Sequence, residues 1–168
     1  MNHIEYINNL KSSMKTYFDI FENFDILGNA FPLYGKSLVR NERYAISKKL
    51  VTDAYENYEH IFVQWKNDNV GENTIREFID FLKSAVDNLI TPNEEHMSTI
   101  ITGIYITDET FTPKARELGV KFKFNKNFAL GLKGWCHIQL VLVELGTNQI
   151  YTNKKGKNSK SIYKAILK

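Results

Sequence analysis

The run Leu140-Val141-Leu142-Val143, within a longer stretch from Cys136 to Leu145, is apolar at consecutive positions. Successive side chains of a strand point to opposite faces, so a strand of this composition has no face to give to water. It belongs in the middle of a sheet rather than at its rim.

Two helices are readable as partners for such a sheet. Ile4, Ile7, Leu10, Met14, Tyr17 and Phe21 recur at three- and four-residue steps and predict a helix over 4–22. Ile75, Phe78, Leu82, Val86, Leu89 and Ile90 make the stripe of a second helix. Thr74 and Glu77 fit a capping box at its start, and Pro92 closes it. Between the helices, runs rich in β-branched and aromatic residues read as strands over 31–39, 43–52 and 58–65, with turns at Arg40-Asn41-Glu42 and Glu56-Asn57. Strands follow at 97–107, 120–124, 128–132, 136–145 and 149–152. Pro113 and Gly119 bracket a short helix. The fold class is α+β: a mixed or antiparallel sheet covered by two main helices in a single domain. That domain is expected over 1–153, with a basic segment over 154–168 in which Ser161 to Lys168 forms a short helix docking back.

Charge is unevenly spread. The chain carries a net charge of +3, yet from Gly119 to Lys168 ten lysines face one acid, Glu144. Such asymmetry points to a polyanion partner or to a solvated end. In a strand, Lys121 and Lys123 would share one face and Phe122 and Phe124 the other. With Lys126, Lys133, Trp135, Lys154, Lys155 and Lys157 they form the candidate nucleic-acid-binding set: lysines for phosphates, Trp135 or Tyr151 to stack a base. The competing reading is a half-buried strand followed by a solubilising end, in which the aromatics are core and the lysines only face water.

Element order carries a further expectation. A helix, three strands, a helix and a strand, with Asp53 followed by Gln64-Trp65-Lys66, resembles the core of the PD-(D/E)xK, or restriction-endonuclease-like, superfamily over roughly residues 1–107. The resemblance implies a metal-dependent nuclease. Asp53 and Gln64 would hold Mg²⁺, Lys66 would assist the attacking water or the charged transition state, and Glu22 would be a supplementary acid. Thr52 stands where that family usually has proline, and Gln64 replaces its commoner glutamate.

Other motifs fail on spacing. Gly35-Lys36-Ser37 has the ending of a phosphate-binding loop, but Ala30 stands where the first glycine is required. Glu94-Glu95-His96 with Glu59 and His60 matches no recognised metal spacing. Cys136 and His137 point to opposite faces of a strand, which excludes a thiolate–imidazole pair and leaves Cys136 as a small core residue. A single cysteine permits no intrachain disulfide. The first residues lack a basic end followed by an apolar run, and no apolar stretch is long enough to insert in a membrane, so a cytoplasmic setting is expected. Whether the chain is an enzyme stays open. The functions carried forward are binding of nucleic acid or another polyanion through the basic third, the nuclease, and a noncatalytic domain that meets an acidic protein.

Overall fold

The computed structural model describes residues 1–44 and 51–167. Helix α1 (His3–Met14) starts where the Asn2 side chain accepts the Glu5 N–H at 2.9 Å, and it buries Tyr6, Leu10 and Met14. It ends eight residues before the predicted limit, and strand β1 (Asp19–Ile26) takes the remainder. Tyr17 and Phe21 extend the helical spacing on paper. Phe18 and Ile20 instead continue at period two, and both pack against the α1 side of the sheet.

Leu27 and Gly28, at φ of 51° and 74°, form a two-residue turn that pairs Ile26 with Asn29. Such a tight hairpin needs positive φ at both central positions, which Gly28 supplies freely. It leads into β2 (Asn29–Tyr44), which pairs antiparallel with β3 (Val51–Lys66). Each of these strands is 16 residues long. The three predicted strands are therefore two, with β1 added. Arg40-Asn41-Glu42 lies inside β2 and Glu56-Asn57 inside β3, and neither is a turn. Part of the predicted strand 43–52 falls on 45–50, outside the described residues. The polar triplet sits where the hairpin runs past its neighbours, so hydrophilic side chains there do not require a reversal of the chain.

Helix α2 (Glu72–Leu89) carries the predicted stripe, but Gly71 rather than Thr74 occupies its N-cap. It crosses to β4 (His96–Thr107), parallel to β3. Helix α3 (Pro113–Lys121) opens with Pro113 after Thr112, whose hydroxyl accepts the Ala115 N–H. Then come β5 (Asn125–Asn127), β6 (Trp135–Glu144), β7 (Gln149–Thr152) and helix α4 (Lys160–Ile166). The seven-stranded mixed sheet runs β1-β2-β3-β4-β6-β5, with β7 also paired to β6. The fold class is α+β, and β6 is interior as its apolar run requires.

Alternate residues of the sheet feed two cores. Phe62, Ile101, Ile138 and Leu140 meet α2 and α3, whereas Val63, Ile104, Val141 and Val143 meet α1 and α4. The segment after Asn153 is part of this body. Tyr163 of α4 is buried, and its carbonyl accepts the Tyr6 hydroxyl at 3.3 Å. Helix α2 comes closest to the sheet at Gly103, where an added methyl would overlap Leu82 and lie 2.9 Å from Phe78. Gly103→Ala is therefore expected to destabilise by about 1–3 kcal/mol, the cost of forcing extra volume into a packed core. Urea unfolding of the variant checks this, and an unchanged midpoint would show that α2 gives way freely.

Candidate functional site

Phe122, Phe124 and Phe128 turn into the α2/α3 core, as the sequence implies, but not from a strand. Helix α3 persists to Lys121, β5 holds only three residues, and a 3-10 turn occupies Ala129–Gly131. The predicted strands at 120–124 and 128–132 are thus corrected. The Lys/Phe alternation has period two on paper, yet a helix end and a short edge strand satisfy the same burial.

This path leaves Lys123 exposed at the sheet edge beside the turn that follows β7. Phe122, Lys123, Asn125, Lys154, Lys155 and Asn158 line a cavity of about 420 Å³ there. Asn153, fully buried, ties the surrounding segments together. Its Oδ1 accepts the N–H groups of Leu140 at 3.1 Å and Gly156 at 3.0 Å. Its Nδ2 donates to the carbonyls of Ile138 at 3.0 Å and Phe122 at 3.4 Å. One amide thereby fixes β6, the α3–β5 connection and the lysine-bearing turn, which sets where the ammonium groups can go. Among the described residues that line it none is acidic, so water and dissolved ions relieve the mutual repulsion of the three lysines.

The rest of the candidate basic set divides. Lys121 is paired with Glu117 one helical turn away, and Lys126 lies 2.9 Å from Asp87 of α2. Lys133 contributes its carbonyl to His96 Nδ1 at 2.7 Å. Lys157 opens a 3-10 turn and is exposed, outside the cavity lining. Trp135 is 40% exposed and stacks on His137, with ring centroids 5.2 Å apart and planes 10° apart. His137 is buried, and its Nδ1 has no hydrogen-bond partner among the described residues. Burial first, and then the charge of Lys155, hold its pKa below the ordinary histidine value.

The nuclease set does not assemble. Asp53 and Gln64 were expected on neighbouring strands, but both lie on β3, Asp53 near its start and Gln64 and Lys66 at its end. At about 3.3 Å per residue the strand separates them by roughly 35 Å. Gln64 donates to the Ala30 carbonyl at 3.0 Å, Lys66 is 3.8 Å from Asp68, and Glu22 pairs with Lys11 from β1. A shared Mg²⁺ on Asp53 and Gln64 is incompatible with that distance. Among the described residues no group of three or more His, Cys, Asp or Glu is placed to hold a metal ion. Cys136 is buried in the α2/α3 core, and desolvation pushes its thiol up to about 11. No helix among the described residues is long and apolar enough to cross a membrane.

Asn125, Asn153 and Asn158 were not singled out by sequence reasoning, and His137 was weighed only as a partner for Cys136. An asparagine that bridges distant segments carries no local spacing by which to find it. Residues 2–165 match a family model described as a domain of unknown function (DUF8052), and the chain belongs to that family. Searches of curated proteins and of solved structures gave no match.

Proposed function

We propose that this member of the DUF8052 family binds nucleic acid or a comparable polyanion, in a cytoplasmic setting, through the lysine cavity at the β5–β6 edge. The observation that carries this reading is the convergence of Lys123 with Lys154 and Lys155. They come from separate segments, they face one cavity, and Asn153 holds those segments in place. Asn125 and Asn158 add neutral donors to the same wall, suited to phosphate oxygens. Carboxylates of an acidic protein would find the same donors, which makes the noncatalytic interaction domain the second reading.

The nuclease reading draws support from element order: α1, the antiparallel β1–β3, α2, then β4 parallel to β3. Its residues oppose it, since the acid is a strand's length from Gln64 and Lys66.

Titration of labelled oligonucleotides and of polyphosphate at several salt concentrations tests the polyanion reading. Affinity is expected to fall steeply with salt, because each neutralised phosphate releases counterions. The Lys123→Ala, Lys154→Ala, Lys155→Ala triple variant is expected to bind at least tenfold more weakly. Its log–log salt slope should be flatter by roughly 2, at about 0.7–0.9 per lost contact. An unchanged slope would remove the cavity from the interface.

A further inference from the structure

Beyond the cavity, the described residues cover only part of the sheet face that carries α1 and α4. The helices reach the register row Gly35–Ile61–Thr102–Gln139: Met14 and Phe18 lie against Gly35, and Ser159 meets Gln139 at 3.4 Å. Two further rows lie past it on the same face. One runs Ser37–Glu59–Ile100–His137–Asn125, the other Val39–Asn57–Ser98–Trp135–Asn127. Directly paired residues share a face, so these rows form a shelf. Val39, Glu59, Trp135, Asn125 and Asn127 are all exposed on it.

Trp135 is the large aromatic of this shelf. One face of its indole is taken by His137, and the side chain is still 40% exposed. Two residues along β6, roughly 7 Å away, stands His137, whose register partner Asn125 is a wall of the lysine cavity. The cavity wall lies about one strand spacing, roughly 5 Å, beyond His137, so a strand with a base on Trp135 has phosphates within reach of the cavity. Aromatic platforms beside a cationic groove take unstacked bases irrespective of sequence, whereas a duplex hides its bases in the stack.

We propose that the shelf is a stacking platform for single-stranded nucleic acid, with one base on the free face of Trp135 and an adjoining phosphate in the cavity of Lys123, Lys154 and Lys155. This rests on the polyanion reading above and narrows it to one ligand class. Asn57, Ser98 and Asn127 flank Trp135 in its row, and Ser98 Oγ lies 2.6 Å from Asn57 Oδ1, so amide and hydroxyl groups border the stacked base. Glu59 stands in the His137 row on the far side of Ile100. Its carboxylate repels a strand laid across the sheet and directs it along the β5–β6 edge. The neutral imidazole of His137 supports the indole from beneath without adding a charge.

The test compares a labelled single-stranded oligothymidylate, a duplex of equal length and polyphosphate of equal charge, using the wild-type protein, Trp135→Ala and Trp135→Phe. The oligothymidylate is expected to bind at least tenfold more tightly than polyphosphate and to quench tryptophan emission. Trp135→Ala should lower its affinity roughly ten- to a hundredfold, the range for loss of one stacked base, and leave polyphosphate binding unchanged. Trp135→Phe should keep most of the affinity while losing the quench, because the remaining Trp65 stacks on His3 elsewhere in the fold. This variant also decides the matter if the alanine variant does not fold. Equal binding of polyphosphate and oligothymidylate, with no quench, would overturn the stacking platform and leave the polyanion reading standing. Tighter binding of the duplex would overturn it in favour of backbone tracking. Failure of all three polymers to bind would overturn both.

Discussion

Replacing Glu144 by alanine is expected to cost about 3–5 kcal/mol of folding stability, the range for removing one partner of a buried pair. Glu144, the single acid of the basic last third, is fully buried at the end of β6. Its Oε1 accepts the Phe111 N–H at 2.9 Å and the Arg116 Nε–H at 2.8 Å, and its Oε2 accepts the Thr147 hydroxyl at 2.7 Å. One carboxylate thus ties the chain entering α3, α3 itself and the β6–β7 turn to the central strand. Truncation leaves the buried Phe111 N–H without its acceptor and the part-exposed Arg116 guanidinium without its carboxylate. Arg116 lies over the Tyr151 ring at 5.1 Å, so it is not free to swing into water without losing that contact. The expected fall in melting temperature is about 10 °C for a chain of this size. Glu144→Gln, which keeps acceptor oxygen and volume, should lose clearly less. The surface pair Lys121–Glu117 is the control, since breaking an exposed helical pair should leave stability nearly unchanged. Similar losses at Glu144 and Glu117 in thermal unfolding would refute the anchoring role.

Stability should also fall by about 3 kcal/mol between pH 6.5 and pH 4 because of His60 alone. Its ring is buried against Phe62, with Nδ1 2.7 Å from the Tyr34 hydroxyl. Desolvation, and after it the charge of Lys36, lower its pKa from 6.5 to about 4. The unfolded chain takes up the proton near pH 6.5 and the native protein only near pH 4. Within that window the unfolded state binds more protons, so acid favours unfolding; above it both states are neutral and stability is complete. His137, also depressed, acts in the same sense. Glu59, raised by desolvation, acts in the opposite sense, and its exposure makes that effect small. Urea unfolding from pH 4 to 7.5 is expected to give a flatter profile for His60→Gln than for the wild type. Parallel profiles would show that another group sets the acid response.

What could be read from the chain beforehand follows how local each signal is. The apolar run in β6 and the stripe of α2 are properties of neighbouring residues, and both elements stand where expected. Thr112 and Pro113 announce α3 by the same local chemistry. The boundary between α1 and β1 escaped notice because Tyr17 and Phe21 fit a helical spacing while Phe18 and Ile20 fit a strand. The choice between them was made by distant partners across β2. The lysines were visible as charge, but their sorting into paired Lys121 and Lys126 and convergent Lys123, Lys154 and Lys155 depends on Asp87, Glu117 and Asn153. Spacing does not encode those contacts. The Asp53 and Gln64-Trp65-Lys66 pattern failed for a related reason: its chemistry needs two strands, and one long strand holds both ends of it.

That long hairpin bears on how the protein behaves at high concentration. Among the described residues, β1 accompanies β2 only as far as Lys36, and β4 meets β3 only from Glu56 onward. Past those points the outer backbone N–H and C=O groups lack a neighbouring strand, a template onto which a foreign chain could add. Arg40 stands on this stretch and bridges Glu56 of the adjacent strand and Glu95 at the foot of β4. The register breaks between Arg43 and Tyr44. An incoming strand would have to displace ion pairs and match a kinked edge. The polar middle that reads as a turn in the sequence thus puts ion pairs and a register break on the sheet's own rim, features that disfavour edge-to-edge pairing.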